Sequence, residues 1–162
     1  MELSTLYNIH RYLMIIAFMI LLPIGICMPI FKDKVGENWY SYHKYIMFSV
    51  LIVSFIGMCV SLYTKDLEGE TNRHPHSTKH GLIGILLFIL VVCQMAWAII
   101  VRRYVNDSES GLTHGVATVF NRLTRQQWLI GHRILGSLIV IALLYNGYLG
   151  YTIYRDRFLS SA

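Results

Sequence analysis

Four histidines each stand at the head of a long uncharged run. In "NIHRYLM" His10 precedes the run Tyr12 to Phe31, and in "YHKYIM" His43 precedes Tyr45 to Thr64. In "KHGLIG" His80 precedes Gly81 to Val101, and in "WLIGHRILG" His132 precedes Ile134 to Tyr154. An imidazole ligates metals, carries protons and donates or accepts hydrogen bonds, so four of them at the edge of apolar sequence point to a function.

The runs that carry these histidines decide what kind of molecule positions them. The chain has 162 residues, 55% hydrophobic and 14% charged, with a mean hydropathy of +0.50. A soluble domain has a charged fraction nearer a quarter. The runs hold 20, 20, 21 and 21 residues, and about 20 residues at 1.5 Å rise cross a hydrocarbon core of roughly 30 Å. The sequence therefore predicts an all-α, multi-pass integral membrane protein, a bundle of four spans at about 12–31, 45–64, 81–101 and 134–154. The spans take up about half of the chain, so residues 1–162 read as one domain. The first run is longer than the apolar part of a signal peptide and no small-residue cleavage site follows it, so it reads as a retained helix. Tyr7, Tyr12, Trp39, Tyr40, Tyr42, Tyr63, Tyr104, Trp128 and Tyr154 cluster at the run ends, where amphipathic rings sit among lipid headgroups.

Other classes are argued against. Cys27, Cys59 and Cys93 lie within the spans and form no CxxC or CxxCH motif, which speaks against a disulfide framework and covalently attached haem c. The formal charge of +5 is spread over the loops, a pattern suited to lipid headgroups or an anionic small molecule rather than nucleic acid. There is no repeat beyond the recurring histidine and apolar run.

Consecutive spans joined by short loops alternate in direction. His10 and His80 then fall on one membrane face, and His43 and His132 on the other. Two imidazoles facing one another across a bundle are the axial ligand set of a six-coordinate haem b, so the expected cofactors are two non-covalent bis-histidine haems, with all four histidines as iron ligands. A glycine four residues after His80 and His132 (Gly84, Gly136) lies on the same helical face one turn on, where the missing side chain leaves room for a porphyrin. The first two spans lack this device and carry Met14 and Met47 instead.

These residues resemble the four-helix di-haem core of the eukaryotic cytochrome b561 family, as found joined to DOMON domains, though no DOMON domain precedes the core here. The marks are "LLPIG" (Leu21 to Gly25), the HxxxG of the third span with Gln94 beyond it, and "HRILG" with Asn146 and Gly150 beyond it. The likeness covers about residues 8 to 154. It implies haem b at both sites, ligated between first and third and between second and fourth spans. It also implies one-electron transport across the membrane, from ascorbate on the cytosolic face to monodehydroascorbate or a ferric chelate on the other, which would make the protein a transmembrane oxidoreductase. A homodimer is expected because family members form them.

Eight Lys and Arg residues on the His43/His132 face against six on the other faintly favour the former as cytoplasmic, in agreement with the resemblance. Lys34 lies in the loop where ascorbate-oxidising members place lysines, and a cation there suits an anionic enediol. Arg11 and Arg133, each beside a ligand, are placed to pair with haem propionates or to snorkel to the interface. "RHPHSTKH" puts His74 and His76 shortly before His80, a pair able to meet a ferric chelate or pass protons. His114 and the apolar residues after it (Val116, Ala117, Val119, Phe120, Leu123) read as a short helix lying on the membrane. Two other functions fit the same pattern: a membrane-anchor b-type cytochrome exchanging electrons with a partner dehydrogenase or quinone, and a haem-free scaffold using histidines as polar glue between helices.

Overall fold

The computed structural model describes residues 2–67, 79–109 and 125–158, and these are helical apart from short turns. In chain order they form α1 (Leu3–Ile15), a π-helical turn (Ile16–Leu21), α2 (Leu22–Ile30), the short α3 (Lys32–Val35), α4 (Trp39–Leu67), α5 (Lys79–Glu109) and α6 (Arg125–Phe158). Four stretches are long and apolar enough to cross a membrane: Leu3–Ile30, Trp39–Leu67, Lys79–Ile100 and Gln126–Asp156. The shortest has 22 residues, enough for about 33 Å at 1.5 Å per residue.

The helices outrun the apolar runs. α1 starts seven residues before His10, and α6 seven before His132, so these histidines sit two turns inside their helices rather than at the ends. Hydropathy marks the lipid-immersed part of a helix, whereas hydrogen bonding carries the helix on into water. For the same reason α5 continues to Glu109 and α6 begins at Arg125, both within the stretch read above as connection. The surface helix expected around His114 to Leu123 lies outside the described residues.

The π turn has an identifiable cause. Pro23 has no N–H to give to the carbonyl of Met19, and its ring collides with that carbonyl in a regular helix. The chain responds by widening: the Leu22 N–H reaches five residues back to Ala17 O. One residue more than a regular helix would hold is thereby absorbed without ending the rod.

The chain divides into two units, Met1–Gly81 and Leu82–Ala162. In the first, α1, the π turn and α2 run antiparallel to α4, and the buried stripes are Leu6, Ala17, Leu22 and Gly25 against Val50, Ser54, Gly57 and Thr64. Ser54 and Thr64 satisfy their hydroxyls on their own helix, at Leu51 O (3.0 Å) and Val60 O (2.7 Å). Gly36, with φ +83°, makes the turn between α3 and α4 in a conformation that side chains rarely adopt. In the second unit α5 and α6 are antiparallel, with Leu87, Val91 and Gln94 buried on one helix and Ile139, Leu143 and Asn146 on the other. Large apolar side chains such as Ile30, Phe48, Leu86 and Ile141 remain exposed, as lipid-facing residues do where no water drives them inward.

Candidate functional site

His10 on α1 and His43 on α4 are held in the same way, His10 by α4 and His43 by α2. His10 Nδ1 lies 2.7 Å from Gly57 O, and His43 Nδ1 lies 2.7 Å from Gly25 O. A carbonyl only accepts, so Nδ1 of each ring carries the proton and donates it. The remaining nitrogen, Nε2, keeps its lone pair. This is the tautomer of a histidine set to bind metal through Nε2, with the second nitrogen anchored.

Local sequence makes these carbonyls reachable. A Cβ added at Gly25 would stand 2.8 Å from Met47 Sδ and 3.2 Å from Ile46 Cγ2, and one added at Gly57 would stand 2.7 Å from Met14 Cε and 3.3 Å from Leu13 Cβ. Met14 and Met47 each follow a histidine by four residues, so histidine and methionine stack on one face and close together on the facing glycine. At Gly25 there is a further feature. Its regular helical partner is the N–H of residue 29, which is Pro29 and has none. The imidazole of His43 takes that place.

His80, in the first turn of α5, faces His10: the ring centroids are 6.3 Å apart and the planes 83° from parallel. An imidazole nitrogen binds a first-row metal at about 2 Å and its ring centre lies about 1 Å behind, so two imidazoles on opposite sides of one ion have centroids roughly 6 Å apart. The pair fits that separation. Among the described residues no group of three or more His, Cys, Asp or Glu gathers as a bare metal ion requires. Two opposed imidazoles suit an iron whose other four ligands come from a porphyrin.

On α5 and α6 the anchoring changes from backbone to side chain. Gln94 Nε2 lies 2.7 Å from His132 O and 3.0 Å from His132 Nδ1. Trp128, one turn before His132, stacks on it with centroids 5.8 Å apart and planes 19° from parallel. Gly84 and Gly136 face carboxamides: a Cβ at Gly84 would lie 3.3 Å from Asn146 Nδ2, and one at Gly136 would lie 3.3 Å from Gln94 Nε2. The room expected beside these glycines is thus bounded by an amide from the antiparallel helix.

One register runs through all four spans. Counting from the histidine, the fourth residue is Met14, Met47, Gly84 or Gly136. The fourteenth is Gly57, Gln94 or Asn146, and on the first span the matching residue is the fifteenth, Gly25. The π turn supplies the extra residue. Sequence reasoning named Gly84 and Gly136 as neighbours of a histidine but missed that role for Gly25, Gly57, Pro29 and Trp128. The fourteen-residue spacing was the signal that could have found Gly57.

Of the other residues singled out, Arg11 is half-buried with its guanidinium 4.9 Å from the Tyr12 ring centre, and Arg133 is exposed. Lys34 is exposed on α3, its Nζ 6.0 Å from the centre of the Phe31 ring. His74, His76 and His114 lie outside the described residues. His43 belongs to the first unit and His132 to the second.

Comparison with known proteins gives one informative likeness. Over 94 residues, 57% of its length, the chain is 27% identical to a cytochrome b561, DM13 and DOMON domain-containing protein of Arabidopsis thaliana. The match spans 10% of that protein's length. No family model and no solved structure matches the chain.

Proposed function

We propose that this chain is a cytochrome b561-type electron carrier that holds two haem b groups within a four-span bundle and passes single electrons across the membrane. The observation that carries the reading is the opposition of His10 and His80 at the separation two axial imidazoles require. The likeness to a protein with a cytochrome b561 region supports it. The second ligand pair, His43 with His132, follows from the order of the spans.

Haem b supplies a one-electron iron couple. The chain's own residues do the rest. Carbonyls of Gly57 and Gly25 fix the His10 and His43 tautomers and leave Nε2 toward the metal. Arg11 and Arg133 offer cations beside the ligands for propionates. His10, His80, His43 and His132 would hold the haems, which would supply one-electron transfer to donor and acceptor without binding them at the iron. Ascorbate on the cytosolic face, met by Lys34, and monodehydroascorbate or a ferric chelate on the other, met by His74 and His76, are the substrates of this reading.

The test is the haem content and spectrum of the purified chain. Two b-type haems per chain, reduced by ascorbate, are expected. One haem per chain breaks the two-site scheme, rapid reduction by quinol alone turns the protein into a quinone-linked cytochrome, and a colourless protein makes it a haem-free scaffold.

A further inference from the structure

Three tyrosines of α6 stand where a phenol has no ordinary partner. Tyr145, Tyr148 and Tyr151 are 53, 61 and 57% exposed, and helical periodicity sets them opposite the buried Ile139, Leu143 and Asn146. The exposed tyrosines Tyr12, Tyr45 and Tyr63 of the first two spans sit at the ends of their uncharged runs, where a hydroxyl meets the headgroups. Tyr145 instead follows Leu144, the middle residue of the run Ile134 to Tyr154. The nearer end of that run is roughly 13 Å away at 1.5 Å per residue. Helical side chains also lean toward the N-terminus of their helix, and in the C-terminal half of α6 that direction leads deeper into the hydrocarbon. A hydroxyl held there costs free energy unless it is hydrogen-bonded.

The same face carries a sevenfold repeat. Ile134, Ile141, Tyr148 and Arg155 recur every seven residues with Leu138 and Tyr145 between them, and all six are exposed. A seven-residue spacing keeps one helix face against another along a slight left-handed crossing, so the stripe fits a partner helix over its whole length. We propose that it meets the same stripe of a second copy of this chain, across a two-fold axis along the membrane normal. Copies of one chain insert in one direction, so this axis sets each residue at the depth of its counterpart. A phenol both donates and accepts, which makes Tyr145 and Tyr148 complementary to themselves; a side chain that only donates or only accepts is not. Arg155 meets its counterpart without net repulsion, because Asp156 pairs with it at 2.8 Å. The inference names the surface that joins two copies and is independent of the haem reading.

The test uses the full chain in lipid vesicles, with Cys27→Ala, Cys59→Ala and Cys93→Ala so that a single introduced thiol reports alone. Under mild oxidation Tyr148→Cys should cross-link to a species of twice the mass. Ile52→Cys, on the exposed face of α4, should stay single. In a second arm Tyr145→Phe and Tyr148→Phe together keep both rings and remove both hydroxyls, and energy transfer between labelled copies is followed as lipid dilutes them. Dimerisation should weaken about threefold for each hydroxyl pair, the average strength of a hydrogen bond between helices in lipid, while thermal unfolding of the monomer stays unchanged. Equal cross-linking at both positions, or more at Ile52→Cys, would overturn the inference, and so would a double-phenylalanine variant that dimerises as tightly as the parent. A single species at every dilution would overturn it too, leaving this face to lipid or to a different protein. None of these readouts requires haem, so a colourless protein overturns the proposed function and leaves this test intact.

Discussion

In the first two spans the residue four places after His10 and His43 is a methionine and the residue fifteen or fourteen places after is a glycine. In the last two, counting from His80 and His132, the fourth residue is a glycine and the fourteenth a carboxamide. In an antiparallel pair these positions meet, so each unit sets a large side chain against a missing one and does so twice, once at each end. The exchange of large and small changes what lies beside the histidine. A glycine at the far position leaves its carbonyl open to the imidazole, as at Gly25 and Gly57. A glutamine there covers the backbone and offers its own amide, as Gln94 does to His132. Both arrangements satisfy the steric fit, but one holds the histidine by a main-chain carbonyl and the other by a side-chain amide.

The comparison breaks most completely if the histidines are not paired as stated. His10→Ala and His80→Ala should each abolish the same spectral component, His43→Ala and His132→Ala the other, and all four should lose transmembrane electron transfer in reconstituted vesicles. If His43→Ala and His80→Ala removed the same component, the face assignment would be wrong.

The register argument predicts the next largest effect. Deleting Phe55 from α4 rotates everything beyond it by about 100°, carries Gly57 away from His10 and should abolish folding, read as loss of a monodisperse detergent-solubilised protein. Deleting Met19 from the π turn should be tolerated when combined with Pro23→Ala, since a regular helix then brings Gly25 fourteen residues from His10. Equal damage from both deletions would show that the turn does not serve to keep register.

Filling the glycines should separate the units more finely. Gly57→Ala places a carbon 2.7 Å from Met14 Cε and 3.3 Å from Leu13 Cβ, and should cost about 1–3 kcal/mol, as overpacking does. Pairing it with Met14→Ala should recover part of the loss. Gly84→Ala and Gly136→Ala meet amide nitrogens at 3.3 Å that need give only a few tenths of an ångström, so each should cost less than about 1 kcal/mol. Thermal unfolding in a fixed detergent checks the order, and a larger loss at Gly84 than at Gly57 would contradict it.

The four spans were legible because lipid leaves a long uncharged run few alternatives, and the histidines stood out because ionisable groups beside such runs are rare. Helix ends were not legible: α5 and α6 run on into polar sequence that hydropathy does not register. Gly84 and Gly136 were found because HxxxG is a local pattern. Gly25 and Gly57 lie four turns from their histidines and act on the histidine of the other helix, so their role depends on the antiparallel fit. The one-residue offset of the first span hid the repeat further, since Pro23 marks a disturbance without telling that the helix continues.

The carbonyl anchors at Gly25 and Gly57 have a consequence for how such a protein is interrogated and how it drifts. A main-chain oxygen is present whatever residue is encoded, so no alanine scan registers it, and a variant at either glycine reports crowding in place of the lost contact. Only an alteration of the peptide link itself, such as replacing the amide after Gly25 or Gly57 by an ester, weakens the acceptor while leaving every side chain as it was. The protonation of two imidazoles is stored in the path of the backbone, and the side chain encoded at the accepting position does not set it.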